Sequence, residues 1–526
     1  MLRVLALALA LLPLAATAAS AREIVGTRGA DRLTGTQAAD RIFGRAGADR
    51  LVGRRGDDLL VPGLGRDSAL GGAGDDRVAA QDDGARDAVA CGPGRDVVTA
   101  DPDDRVAGDC DVVSRRLSRD PYRRTGAQHE TQAEPDSFTW GDTTVAVFQS
   151  GRYSDGGAAN IGWATSSDRG RTWRRGFLPG LSLFSTPAGI WPRVSDPVVA
   201  YDAAHGLWLA ASLAIGTRET ALLVSRSADG LAWSLPVTAA RAATGSLAYD
   251  KEWIACDNWS ASPYRGRCYL SYTDIAAERL ATIRSDDGGA TWSAPAAGPR
   301  APLAGAFPLP RPGGDLVVVY WGLDPQGIYA IRSTDGGAGF SAPVLVSRWF
   351  ENDANVMRAP PLPSADVGPD GTVHVTWHDC RFRPSCAAND VLVASSADGI
   401  SWTAPLRAPR VPGHESFLPA LAADPGSQAV AVLFYSAPAG CRGSRCRLDA
   451  WLAVSPEHGA PWRRAQRLTA QPMPVGWIAT ASGGRMLGDY FSVTFVRGAP
   501  LPVFAIASEP RAGLLRQAIY ATTVLR

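Results

Sequence analysis

Lysine is almost missing from this chain: of 53 basic residues among 526, 52 are arginine and Lys251 is the one lysine. Acids number 52, so the formal net charge is +1, and no overall field draws the molecule to nucleic acid or an anionic membrane. Beyond the N-terminus no apolar run reaches the ~18 residues of a membrane-spanning helix. Catalytic and metal signatures are absent too. No C-x2-C spacing occurs, and His374 and His378 stand four apart without the glutamate of H-E-x-x-H. There is no G-x-S-x-G and no phosphate loop with G-K-[ST]. What is present is a globular composition, 45% hydrophobic and 20% charged, sufficient for two or three domains. Gly 56 and Pro 38 punctuate it about once in six residues, which favours short strands and turns and excludes a helical bundle or coiled coil.

The N-terminus reads as an address. Arg3 is followed by the apolar run 4–16 and then small residues, with Ala16-Thr17-Ala18 or Ala19-Ser20-Ala21 as cleavage sites. That layout predicts a signal peptide over 1–21 and a secreted, extracellular protein. The eight cysteines fall in four local pairs, Cys91/Cys110, Cys256/Cys268, Cys380/Cys386 and Cys441/Cys446. Of the 105 possible connectivities, closeness in sequence favours this one.

Two repeat systems divide the chain. The first has period nine: Asp31, Asp40, Asp49, Asp58, Asp67 and Asp76, each followed two positions later by an apolar residue, Leu33, Ile42, Leu51, Leu60, Ala69 and Val78. The rhythm slips by two and resumes at Asp87, Asp96 and Asp104. This segment resembles the hemolysin-type (RTX) calcium-binding nonapeptides. The resemblance implies a parallel β-roll over 22–113, with these aspartates and turn carbonyls as hard oxygen ligands for Ca²⁺. Thr27, Thr36, Arg45 and Arg54 replace the second glycine of four turns, and a roll that folds without metal is the alternative.

The second system is longer. Ser166-Ser167-Asp168-Arg169-Gly170-Arg171-Thr172-Trp173 returns as Ser285-Asp286-Asp287-Gly288-Gly289-Ala290-Thr291-Trp292, with looser copies ending at Trp233, Phe340, Trp402 and Trp462. Three apolar runs separate successive boxes, so three strands, a box and a fourth strand make one propeller blade. These boxes resemble the Asp boxes of the sialidase (neuraminidase) superfamily, which implies an all-β propeller over 127–526. Six boxes predict six blades; three runs after the last box, completed by a strand from around residues 115–130, tip the count toward seven. The Arg-rich stretch 114–126 reads as a polar linker.

In a propeller, function collects at the axial channel. Acids recur at entries to first strands: Glu134, Asp196, Asp250 with Glu252, Glu415 and Asp489. Arg152, and the disulfide-flanked Asp379, Arg381 and Arg383, fall on second-to-third connections. Acids interleaved with Arg suit an acidic or polyhydroxylated sugar, because Arg grips carboxylates bidentately and paired carboxyls hydrolyse glycosides. The alternative is that the acids staple blades through backbone amides. Lys251, surviving where lysine is otherwise excluded, is expected to hold substrate oxygen or to act as an acid with a lowered pKa. Trp253, with Trp191 and Trp349, is a candidate to stack on sugar rings.

The resemblance implies a glycoside hydrolase cleaving a terminal acidic sugar, with a glycan or polysaccharide as partner. Position at the channel mouth, not a transferred family motif, makes Tyr490 the nucleophile candidate, with Glu415 or Glu134 as its partner and Asp196 or Asp250 as the acid. The Arg-Ile-Pro motif of true sialidases is absent. A non-catalytic propeller that binds glycans, or associates with a cell surface, is therefore the second reading.

Overall fold

The computed structural model describes residues 20–524 except 82–83, 124–125, 244–247 and 353–356. Most of the signal peptide, and Arg124 of the expected linker, lie outside the described residues.

The nonapeptides wind into a two-sheet roll, each coil consuming two repeats. Strands Glu23–Val25, Arg41–Phe43, Leu59–Val61, Arg77–Ala79 and Val97–Ala100 stack parallel in one sheet. Arg32–Thr34, Arg50–Arg55, Ser68–Ala73, Ala88–Ala90 and Arg105–Val106 form the other. The apolar residue of each repeat turns inward, so Ile42, Leu51, Leu60, Ala69, Val78, Val89 and Val98 fill the space between the sheets. Repeats are short because two residues of strand bury one side chain, and glycine closes each turn.

Among the described residues, the rest of the chain forms a ring of seven four-stranded blades. The innermost strands are Gln132–Trp140, Arg193–Asp202, Tyr249–Cys256, Leu303–Pro310, Ser364–Val367, His414–Ala423 and Ser492–Val496. Each packs on the next, and the last packs on the first, closing the ring. The boxes occupy the turn between third and fourth strands. In the first, Ser166 Oγ accepts the Gly170 amide at 2.8 Å, Asp168 Oδ1 accepts the Thr172 amide at 2.9 Å, and Trp173 Nε1 donates to the Gly170 carbonyl. All four expected disulfides are formed. No helix among the described residues is long and apolar enough to cross a membrane.

Blade seven closes across the two repeat systems. Its strands Ser492–Val496, Ala499–Arg511 and Leu514–Val524 come from the C-terminus, and its outer strand, Val112–Arg116, comes from the last coil of the roll. Ser114, Arg115 and Arg116, expected in a polar tether, are therefore strand residues. Val112–Arg116 pairs parallel with Val97–Ala100 on one edge and antiparallel with Leu514–Val524 on the other. Its faces divide accordingly: Val113 packs in the roll core, while Val112 packs in the propeller core.

Candidate functional site

Five innermost strands carry the same irregularity near their start. Pairing with the second strand skips between Ala133 and Asp136, Ser195 and Val198, Asp250 and Trp253, Ala304 and Ala306, and Phe417 and Ala420. Each skip contains one residue in the left-handed region: Glu134 (φ 49°), Asp196 (47°), Lys251 (52°), Gly305 (62°) and Leu418 (51°). A bulge of this kind re-aims one side chain out of the alternation, and non-glycine residues accept the dihedral only where the surroundings impose it.

In blades one to three the re-aimed side chains converge. Lys251 Nζ lies 2.9 Å from Asp489 Oδ2, 3.4 Å from Glu134 Oε1 and 3.5 Å from Asp196 Oδ2. One ammonium thus joins carboxylates from blades one, two and seven. Arg358 Nη2 adds a second cation on Asp489. Gln149 Nε2 donates to Glu134 Oε2 and, at 3.0 Å, to Ser195 Oγ, whose hydroxyl donates to Asp196 Oδ1 at 2.7 Å. Glu252 and Asp250 lie alongside, and Arg152 is turned onto the Tyr153 and Thr480 carbonyls, within electrostatic reach of Glu134 and Asp489. The cluster meets solvent through its cations: side-chain exposure is 13% for Lys251 and 33% for Arg358, against 3% for Glu134 and 1% for Asp489.

Burial separates the carboxyls. It pushes Glu134 up to about 7, against the pull of Lys251 and with the push of Asp196 and Asp489. It likewise raises Asp250 to about 6 and drives Glu252 well above the carboxylate range. Burial also opposes ionisation of Asp489, but Lys251 and Arg358 outweigh it and hold that carboxyl below its ordinary value. Lys251 itself goes up, because Asp196, Asp489, Glu134 and Asp250 together overcome its desolvation. The expected acid with a lowered pKa is instead a held ammonium.

Tyr490 is in the site but not poised as a nucleophile. Its hydroxyl donates to the Pro197 carbonyl at 3.2 Å, and burial followed by the Glu134 and Asp196 charges pushes its pKa well up. Its ring meets Trp253 edge-on at 5.2 Å and Lys251 at 5.5 Å. Trp253 also borders an apolar chamber of about 320 Å³ toward the box face of the channel, walled by Phe138, Trp140, Trp259, Phe491 and Phe495. Trp191 is buried in the core of blades one and two, and Trp349 packs on Trp321.

The remaining candidates gather elsewhere, around blades five and six. Arg381 is clamped by Asp379, with Nε to Oδ1 at 2.9 Å and Nη2 to Oδ2 at 2.7 Å. Arg383 is bidentate on Asp390 and donates to the His414 carbonyl. Glu415 faces Arg383 and Asn352 rather than Tyr490. Leu418 holds the bulge of that blade, so the acid ring is interrupted there. Gln149 and Arg358 were missed: neither sits in a repeat or motif, and Arg358 reaches the site from a proline-rich connection, 348–363.

The roll presents a second set of groups. Its aspartates form two ladders, each amide donating to the carboxylate one coil on: Asp40 to Asp58 (2.7 Å), Asp58 to Asp76 (2.9 Å) and Asp76 to Asp96 (2.9 Å) on one edge, Asp31 to Asp49 (2.7 Å) and Asp49 to Asp67 (2.6 Å) on the other. The Oδ2 atoms of Asp49, Asp58, Asp76 and Asp96 are buried without a hydrogen-bond partner. A Cβ on Gly53 would lie 2.3 Å from Asp58 Oδ2 and 2.4 Å from the Gly71 carbonyl oxygen; one on Gly71 would meet Asp76 Oδ2 and the Cys91 carbonyl at 2.5 and 2.7 Å. Carboxylate and carbonyl oxygens of successive coils therefore converge on cradles that glycine leaves open, a donor set suited to Ca²⁺. Burial and then neighbouring carboxylates raise Asp58 and Asp96 to about 6 and Asp76 to about 7, a crowding that a divalent cation relieves. In the first coils Thr27 and Thr36 already donate to Asp31 and Asp40 Oδ2, so the donor set is fullest from Asp49 to Asp96.

Residues 25–60 match the RTX calcium-binding nonapeptide repeat, in four copies. The roll is thus a calcium-binding module, with Asp49, Asp58 and Asp76 among the residues that would hold the ion. No curated protein matches the chain. Among solved structures, the leech intramolecular trans-sialidase aligns at 13% identity over 59% of this chain, with a TM-score of 0.42; this chain spans 65% of that protein's length. The intramolecular trans-sialidase of Ruminococcus gnavus aligns at 13% identity over 60% of this chain and 92% of its own, TM-score 0.44. An α-L-arabinofuranosidase of Fusarium graminearum aligns at 16% over 61% and 91%, TM-score 0.41.

Proposed function

We propose that the protein is an exported glycan-acting hydrolase whose reactive pair is Glu134 and Asp489. One arrangement carries this reading: Glu134 and Asp489 share the Lys251 ammonium, and burial pushes Glu134 up to about 7 while Lys251 and Arg358 hold Asp489 below its ordinary value. Carboxyls driven apart in this way mark an acid and its counterpart. Glu134 would give its proton to the glycosidic oxygen as the bond to the sugar breaks. Asp489 would meet the positive charge that develops on the sugar, and water then adds to the sugar carbon and gives its proton back to Glu134. Arg358, the most exposed cation of the cluster, suits the carboxylate of a terminal acidic sugar of the sialic-acid kind.

The test is sugar release from a panel of sialosides and other acidic glycans by calcium-loaded protein. Glu134→Gln is expected to lower turnover 10²–10⁴-fold, the usual contribution of a general acid. Lys251→Arg, which exchanges a compact donor for a planar fork, is expected to lower activity at least tenfold, about 1.4 kcal/mol. No turnover of any glycan by the wild type would refute hydrolysis. The burial of the carboxylates favours a second reading, a glycan- or surface-binding propeller. Glycan binding that survives Glu134→Gln, without sugar release, would establish it.

A further inference from the structure

We infer that the calcium roll is the latch of the propeller: cation binding along its aspartate ladder fixes the strand that completes blade seven. The latch is Val112–Arg116, which belongs to both modules by pairing and by packing. Asp111, the residue before it, is the last rung of one ladder, accepting the Asp96 amide through Oδ2 at 2.9 Å. The two preceding rungs, Asp76 and Asp96, each carry a buried Oδ2 without a hydrogen-bond partner. Without a cation these stacked carboxylates repel, and the coil that presents Val112–Arg116 loses its template, since ligand binding becomes folding energy when donors come from successive coils.

On the propeller side the latch is fastened by specific bonds. Ser114 Oγ donates to the Leu468 carbonyl at 2.8 Å and shares a hydrogen bond with Thr522 Oγ1. The Leu117 amide donates to Ile519, and the Ala470 amide donates to Thr99 Oγ1 in the roll. Released, blade seven keeps three strands, and Tyr520–Val524 becomes an open edge. The inner strand of that blade begins just after Asp489 and Tyr490, so the latch lies two strands from the channel cluster.

Hydrogen exchange of the full chain, in calcium and in excess chelator, tests this. Amides of 520–524 are expected to exchange at least tenfold faster in chelator, while those of 268–274 in blade three change less than twofold. Ser114→Ala is expected to speed exchange of 520–524 in calcium while leaving the calcium-induced protection of the roll intact. The latch is overturned if 520–524 are equally protected in both conditions, if all seven blades lose protection together, or if the roll itself ignores calcium.

Discussion

Asp136 and Asp366 each reach one blade onward: Asp136 accepts the Val199 amide at 2.8 Å, and Asp366 accepts the Ala423 amide at 2.9 Å. Burial, against those bonds, pushes Asp136 up to about 7 and Asp366 to about 6. A carboxyl raised on folding favours the native state when protonated. Its contribution is complete below the unfolded value near 4 and is lost as pH rises toward 7. Asp136→Asn stays neutral and still accepts from Val199, so the variant should be more stable than wild type at pH 8, by about 1 kcal/mol or more, and equal to it at pH 4. Thermal melts at the two pH values check this; an Asn variant that melts below wild type at pH 8 would refute it. Acids at the strand entries can serve as channel groups or as staples, and the molecule has both, two residues apart. Glu134 and Asp136 differ in role because the bulge between them reverses which way a side chain points. Nothing in the residue types announces a bulge, although Glu134-Pro135 and Asp196-Pro197 repeat the acid-proline pair at its position. Glu415, three residues before the bulge of its blade, was misplaced for the same reason.

At the scale of the element, the boxes show how much one turn depends on one carboxylate. Asp287 accepts from Ser285 Oγ, the Ala290 and Thr291 amides and Thr291 Oγ1, and these bonds lower its pKa to about 2 against the cost of burial. In the sixth copy Glu457 replaces Asp, and Ser455 Oγ turns to the Glu457 carbonyl instead. Asp287→Ala should therefore destabilise the protein by ~1–2 kcal/mol through lost turn bonds, and Glu457→Ala by less than ~0.5 kcal/mol. Denaturant melts of both variants decide it, and equal losses would count against the argument. Boxes are legible from sequence because each closes its own hydrogen bonds within a few residues, and nonapeptides because the same residue types recur every nine positions, although their bonds run one coil on. Arg358 is not, since it reaches Asp489 across 131 residues from a connection with no repeat to mark it.

For the whole molecule, the decisive contact is the seam between Val112–Arg116 and Leu514–Val524. Three C-terminal runs foretell a seventh blade completed by a strand from around residues 115–130; the completing strand is Val112–Arg116, which begins inside the roll and ends in the stretch that charge marks as linker. The alternation Val112, Val113, Ser114 carries no sign of which neighbour each face will meet. A chain ending at 511 would leave both Val112–Arg116 and Ala499–Arg511 as bare edges, which template association between copies. Such a truncation should fall from the soluble fraction, or run as oligomers on size exclusion, and a soluble monomer with the wild-type melt would refute this. The seam also sets an order of events. Ser114 and Thr522, 408 residues apart, share a hydrogen bond, so all of the chain between them must emerge before the ring can shut. The entropy of closing so long a loop grows only logarithmically, but the search for so distant a partner is slow. The roll waits, one edge uncovered, for Leu514–Val524 to arrive.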